Sequence, residues 1–156
     1  MKILLDSNIL MSAFISPSGT VAKAYAKAVG EENEVIVADY NIEELRTAIG
    51  RKYSNRREQL EVFLTVVQGF VQVVSVPDRI IKLEEKIRDT KDRPILRVAI
   101  CEDVDIILTG DKDFLEAGIK WPMIMSPAEF LEYEDTPPTD PMLVAERKHK
   151  YSRKMK

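Results

Sequence analysis

The sequence alternates short apolar runs of strand length with longer stretches of helical periodicity. In the helical stretches apolar residues recur three or four positions apart, as Ile42, Leu45 and Ile49 do. Strands that alternate with helices form βαβ units, so the pattern predicts a three-layer α/β/α sandwich with a central parallel sheet. The predicted strands cover residues 2–5, 35–38, 71–76, 105–108 and 122–125.

The remaining apolar periodicity assigns helices to the segments between the strands. The chain has 156 residues, which is the size of one domain. Pro137, Pro138 and Pro141 end the compact part, so we expect a domain over 1–133 and a proline-containing, then basic tail over 134–156. The predicted helices cover residues 8–15, 20–29, 41–51, a stretch around 60–67, 79–88, 93–101, 112–117 and 127–133.

The composition excludes several classes of site. With one cysteine, Cys101, the chain has no internal disulfide, and a cysteine-built zinc or iron–sulfur site is disfavoured. The single histidine, His149, lies close to the C-terminus, which argues against a catalytic Ser–His or Cys–His pair. The longest uncharged runs fall short of the roughly 20 residues of a membrane span, so no membrane partner is expected and the protein is expected to be cytoplasmic.

Charge is distributed unevenly along the chain. Residues 1–146 carry a net charge of −9, whereas residues 147–156 carry +6. An acidic body repels a phosphate backbone unless cations or local basic patches intervene. The basic tail could supply such contacts, although a solvated terminus is the simpler interpretation.

Carboxylates follow several of the predicted strands, at the edge of a parallel sheet where ligands bind. Each has a structural explanation: an aspartate can cap a helix, and a glutamate in a first turn favours the helix dipole. Neighbouring helical residues diverge, so only one of Glu43 and Glu44 can face inward, and we expect it to be Glu44. The candidates are Asp6, Glu44, Asp92, Asp111 and Asp113.

Together these carboxylates indicate a metal site. Several carboxylates in one partly dry cleft repel one another unless cations neutralise them. Oxygen ligands suit hard divalent ions, and magnesium or manganese would make an acidic pocket attractive to a phosphodiester. Such ions also activate water in metal-dependent nucleases, a reaction that needs neither histidine nor cysteine.

Four motifs, in their order and spacing, resemble the PIN-domain family. They are LLDSNIL at 4–10, IEEL at 42–45, KDRPIL at 91–96 and LTGDKDF at 108–114. The resemblance covers roughly residues 1–132 and is strongest to the VapC-like toxin components of prokaryotic toxin–antitoxin systems. It implies a PIN-like α/β/α sandwich and an endoribonuclease that depends on magnesium or manganese and leaves a 5′-phosphate and a 3′-hydroxyl.

The resemblance also implies roles for particular residues. The acidic set of the family falls on Asp6, Glu44, Asp92 and Asp111, and Asp113 matches an additional acid. Asn8 and Thr109 match polar positions that orient ligands or water. The implied partners are an RNA substrate, an antitoxin protein and a second copy of the chain.

Some interpretations stay open at this stage. Arg93 and Arg97 flank Asp92 and could contact substrate phosphates or pair with nearby acids, the latter being favoured for Arg97. The stretch 9–15, with Leu10, Met11 and Phe14, is expected in the core but could form part of a dimer surface. The main alternative function is a non-catalytic PIN-like module that binds RNA or protein, and a phosphatase or receiver-like fold is a further alternative.

Overall fold

The computed structural model describes residues 1–30 and 32–134. A five-stranded sheet lies at its centre, with seven α-helices around it in the described residues. The strands are β1 (Lys2–Leu5), β2 (Glu34–Ala38), β3 (Gln72–Val74), β4 (Ile106–Leu108) and β5 (Met123–Met125). The helices are α1 (Ser7–Ile15), α2 (Thr20–Gly30), α3 (Asp39–Lys52), α4 (Arg57–Gln68), α5 (Arg93–Cys101), α6 (Lys112–Leu115) and α7 (Pro127–Glu132).

The sheet is wholly parallel, with strand order β3-β2-β1-β4-β5. Leu5 is in register with Val37 on one side and with Leu108 on the other. Successive strands move outward from β1 to β3 and then resume on the opposite side of β1 at β4. The direction in which strands are added across the sheet therefore reverses between β1 and β4. Parallel sheets form ligand-binding crevices at such points.

Both faces of the sheet are buried, which confirms the predicted α/β/α sandwich. In β1, Ile3 and Leu5 face one hydrophobic cluster, which includes residues of α1 to α4 and α7. Leu4 faces a second cluster with residues of α5 and Phe114 of α6. Side chains of a strand alternate between the two faces, so burial on both faces produces the continuous apolar runs seen in the sequence.

The expected core assignment of the stretch 9–15 is also confirmed, since Leu10 and Phe14 are buried and Met11 is partly buried against the same cluster. No helix in the described ranges is both long enough and apolar enough to cross a membrane.

The predicted helix over 79–88 is wrong. Between β3 and α5 the chain forms only a short 3-10 helix, Lys82–Lys86. Ile80, which would share one side of such a helix with Leu83 and Ile87, is 71% exposed, whereas the charged Glu84 is buried. An ion pair between Glu84 and Arg97 of α5 holds this connection against the domain. The apolar residues spaced along 79–88 therefore do not mark the buried face of an amphipathic helix.

Several other boundaries differ from the expected ones. A 3-10 turn, Ser54–Arg56, precedes α4, and α3 begins two residues earlier than predicted. The proposed domain end near residue 133 stays a prediction. The basic tail, including His149, lies outside the described residues.

Candidate active site at the carboxyl edge of the sheet

Asp6 lies at the centre of the crevice between β1 and β4. Its backbone N–H donates to the carbonyl of Leu108 at 3.1 Å, which continues the pairing of the two strands by one residue. Its carboxylate accepts hydrogen bonds from the Ser7 backbone N–H and from the Thr109 hydroxyl, both at 2.8 Å. The side chain is nearly inaccessible to solvent, and this burial raises the pKa of Asp6 to about 6 despite these hydrogen bonds.

Asn8 and Thr109 connect the loops that follow β1 and β4. The Asn8 amide donates to Asp6 at 3.2 Å and to the Thr109 hydroxyl at 3.3 Å, and its Oδ1 accepts from the Gly110 N–H at 3.1 Å. The Thr109 hydroxyl also accepts from the backbone N–H of Asp111 at 3.0 Å. These two polar residues therefore fix the backbone that presents Asp6 and Asp111.

Glu44 of α3 reaches the same edge. The Ser7 hydroxyl donates to its Oε1, so Ser7 touches two carboxylates, one with its backbone N–H and one with its side chain. Glu43 instead points outward, where its exposed carboxylate pairs with Arg46. Glu44, as expected, is the inward member of the pair, and Ser7 is a contributor that the sequence motifs did not single out.

Asp92, at the start of α5, and Asp111, after β4, have side chains in direct contact. Burial, followed by the hydrogen bond and the charge of Asp111, raises the pKa of Asp92 to about 8. A hydrogen bond between two carboxyl groups requires that one of them holds a proton. The Asp92 side chain makes no capping bond to α5, so helix capping does not explain its presence. Asp111 does cap α6, accepting from the Asp113 N–H at 2.9 Å.

Asp89 and Asp113 extend the acidic group beyond Asp92. One carboxylate oxygen from each of Asp89, Asp92 and Asp113 lies within 4.8 Å of the other two. Asp89 was not among the sequence candidates, because it follows the helix predicted over 79–88 and nothing in the sequence placed its side chain beside Asp92. The sequence signal that could have pointed to Asp89 was its position three residues before Asp92, in the segment RDTKD at 88–92.

The loop that carries Asp89 and Asp92 is tied to α3 by Tyr40. The Tyr40 hydroxyl donates to the carbonyl of Lys91 at 3.0 Å. Burial, followed by the charges of Glu44, Asp92 and Asp89, raises the pKa of this phenol. Tyr40 is therefore close to carboxylates of α3 and of this loop, and it helps to hold the two together.

The two arginines suggested as substrate contacts have internal partners. Arg93 Nε donates to the carbonyl of Ile87 at 3.0 Å. Arg97 binds both oxygens of Glu84, at 2.6 and 2.9 Å, and its side chain is 17% exposed. Burial alone would raise the pKa of Glu84, but the hydrogen bonds from Arg97 and the Ile81 N–H lower it. Arg97 thus has the structural role favoured for it.

The donor set fits a hard divalent cation. The candidate ligands are carboxylate oxygens from several chain segments, and those of Asp89, Asp92 and Asp113 lie within 4.8 Å of one another. A divalent ion there would relieve the repulsion among the acids, and oxygen donors are the ligands that magnesium and manganese prefer.

Comparisons with known proteins agree with this fold. The VapBC2 complex of Rickettsia felis, solved with a promoter DNA fragment, aligns with a TM-score of 0.62 at 14% identity, covering 81% of this chain and 98% of that one. VapC20 of Mycobacterium tuberculosis, described as a toxin that cleaves the sarcin–ricin loop, aligns with a TM-score of 0.56 at 17% identity, covering 75% and 95%. FitAcB of Neisseria gonorrhoeae aligns with a TM-score of 0.58 at 21% identity, covering 81% and 98%.

With sequence identities of 14% to 21%, the structural matches establish the fold alone. None of the curated proteins matches the sequence. Residues 2–113, which include every acid of the site, match the PIN domain family. The chain therefore belongs to the PIN domain family.

Proposed function

We propose that this protein is a metal-dependent endoribonuclease that hydrolyses RNA phosphodiester bonds and acts as the toxin of a toxin–antitoxin pair. The observation that carries the proposal is the convergence of Asp6, Glu44, Asp92 and Asp111 at one crevice, with Asp92 and Asp111 in direct contact. Membership of the PIN domain family and the fold shared with VapC toxins support it.

Each residue has a part in this mechanism. Asp6, Glu44, Asp92 and Asp111 would hold the cation, with Asp113 as an additional ligand. A bound magnesium or manganese ion supplies Lewis acidity, which activates water and offsets phosphate charge. Because its surroundings favour the protonated form, Asp92 has to lose a proton before its carboxylate can act as a ligand. Asn8 and Thr109 keep Asp6 fixed, so that little reorganisation accompanies binding of the ion.

Hydrolysis of this kind leaves a 5′-phosphate and a 3′-hydroxyl on the cut RNA. We expect an antitoxin to cover the acidic edge, because the solved neighbours include VapBC and FitAB assemblies. We also propose a homo-oligomer; α4 exposes Val62 and Val66, at 67% and 56%, and Phe70 beyond it is 58% exposed.

The neighbouring glutamates Glu44 and Glu43 provide the test. With manganese, the wild-type protein is expected to cut RNA and leave 5′-phosphates detectable by ligation, and EDTA should stop the reaction. Glu44→Gln should lower the rate by about a hundredfold or more, whereas Glu43→Gln, one residue away and facing outward, should retain it. Calorimetry should show manganese binding that Glu44→Gln weakens.

The proposal fails if the wild-type protein neither binds manganese nor cuts a diverse RNA pool. Binding of RNA without cleavage in any metal would instead support the non-catalytic module.

A further inference from the structure

Arg88 is the arginine that faces the acidic group. Its Nη2 lies 2.9 Å from Oδ1 of Asp113, whereas Arg93 and Arg97 are engaged with Ile87 and Glu84. The side chain of Arg88 is 88% exposed, compared with 17% for Arg97. Arg88 therefore combines contact with the site and access to solvent.

The backbone at Arg88 is held in place although its side chain is exposed. Ile87 is fully buried, its N–H donates to the Glu84 carbonyl at 2.9 Å, and its carbonyl accepts from Arg93. Asp89 follows directly and belongs to the acidic group. The backbone of Arg88 is thus held at the edge of the site, and its guanidinium can exchange Asp113 for another partner while the segment between β3 and α5 stays folded.

The ion pair with Asp113 does not give Arg88 a role in stabilising the fold. Exposed ion pairs contribute little to stability, because water screens them and the long side chain loses freedom. A divalent ion at the neighbouring carboxylates would weaken the hold of Asp113 on Arg88. A guanidinium released there can bind a phosphate with two parallel hydrogen bonds.

We infer that Arg88 is a substrate contact, which leaves Asp113 and binds a backbone phosphate of RNA beside the acidic group. The inference rests on the proposed function, since it takes RNA to be the substrate. It places a positive charge beside Asp89, Asp92 and Asp113, whose carboxylates lie close together.

The test compares Arg88→Gln and Arg88→Lys with Arg79→Gln, a control at an exposed arginine of the same connection that lies near Cys101. Binding of a short, randomised, fluorescein-labelled single-stranded RNA is followed by anisotropy with calcium present. Arg88→Gln should weaken binding about tenfold and reduce the salt slope by about 0.7. Arg88→Lys should recover part of the affinity, and Arg79→Gln should match the wild type.

Manganese affinity, measured by calorimetry without RNA, separates this role from a structural one. Removing a cation from Asp113 should leave manganese binding unchanged or tighten it by up to about fivefold. Loss of manganese affinity in Arg88→Gln would mean that Arg88 shapes the site, and would overturn the inference. Equal RNA affinity and salt slope in Arg88→Gln and Arg79→Gln would overturn it as well.

Failure of the proposed function gives a different pattern. RNA binding that depends on Arg88 but leads to no cleavage in manganese would retain the contact and reject the nuclease. Cleavage with wild-type kinetics in Arg88→Gln would retain the nuclease and reject the contact.

Discussion

Asp6 and Asp92 are carboxyl groups whose surroundings favour the protonated form. Burial is the main cause at both positions, and neighbouring carboxylates add to it. Asp6 has compensating donors from Ser7 and Thr109, whereas the partner of Asp92 is another carboxyl group. Ionisation in the metal-free site is therefore more unfavourable at Asp92 than at Asp6.

Replacing Asp92 should separate stability from function. Asp92→Asn keeps the size of the side chain and loses no capping bond, because Asp92 makes none. We expect the metal-free variant to unfold at a higher temperature, by an amount corresponding to about 1 kcal/mol, since asparagine has neither to take up a proton nor to bury a charge on folding. Manganese should no longer raise its Tm, and RNA cleavage should be lost.

The exposed Glu58→Gln on α4 is a suitable control, because it also removes one negative charge. A Tm for Asp92→Asn below that of both the wild type and this control would show that the carboxylates do not repel in the folded protein.

Among individual residues, the sequence pointed to the acids that lie within a few residues of a strand end, such as Asp6 and Asp111. Strand ends are fixed by burial, so the positions of these residues follow from the sheet. Asp89 and Arg88 could not be placed, because their positions depend on how an irregular connection packs, which periodicity does not describe.

The connection between β3 and α5 is the element on which the site most depends. It holds a 3-10 helix, a buried glutamate and the loop that carries Asp89 and Asp92. Its charged residues suggested a surface helix, but the bidentate pair of Glu84 with Arg97 anchors it instead. The charge pattern of a segment does not show which of its charged side chains is buried in an ion pair with another element.

Breaking this pair should destabilise the protein strongly. Arg97→Met leaves the buried Glu84 without its cation, which we expect to lower the free energy of unfolding by roughly 3 kcal/mol or more in urea titrations. The double variant Glu84→Leu/Arg97→Met should recover much of the loss, because no buried charge is left unpaired. A double variant no more stable than Arg97→Met would show that the loss comes from packing of the long arginine side chain.

For the molecule as a whole, the raised pKa values predict how stability varies with pH. A carboxyl with a higher pKa in the folded state binds its proton more tightly when folded, so it favours folding at low pH and opposes it once ionised. For Asp6 the change runs from its ordinary pKa of 3.8 to about 6, and for Asp92 to about 8. Glu84, whose pKa is lowered, acts in the opposite direction but only at more acidic pH.

In EDTA, the Tm should therefore fall as pH rises from about 4 to 8, with Asp6 alone accounting for about 3 kcal/mol between its two pKa values. Manganese should reverse the trend, because it binds the ionised carboxylates and its effect grows as their protons leave. Scanning fluorimetry across this range, with EDTA or with manganese, provides the measurement. A metal-free Tm that is flat or rises over this range would contradict the predicted electrostatics.

The architecture could be predicted more completely than the site. Continuous apolar runs require a sheet covered on both faces, and the alternation with helices requires parallel strands. The order of the strands was not predicted, although that order places β4 beside β1 and so brings Asp111 next to Asp6. Local periodicity carries no information about which strand neighbours which.

The reversal of the chain between β1 and β4 has a consequence during synthesis. Asp6 and Glu44 leave the ribosome early, whereas Asp92 and Asp111 follow only after β3 and its long connection have been made. A nascent chain holding only these early carboxylates has two of the proposed ligands and no crevice in which to gather them. The proposed activity is thus expected only after β4 has docked beside β1, when most of the protein has already been translated.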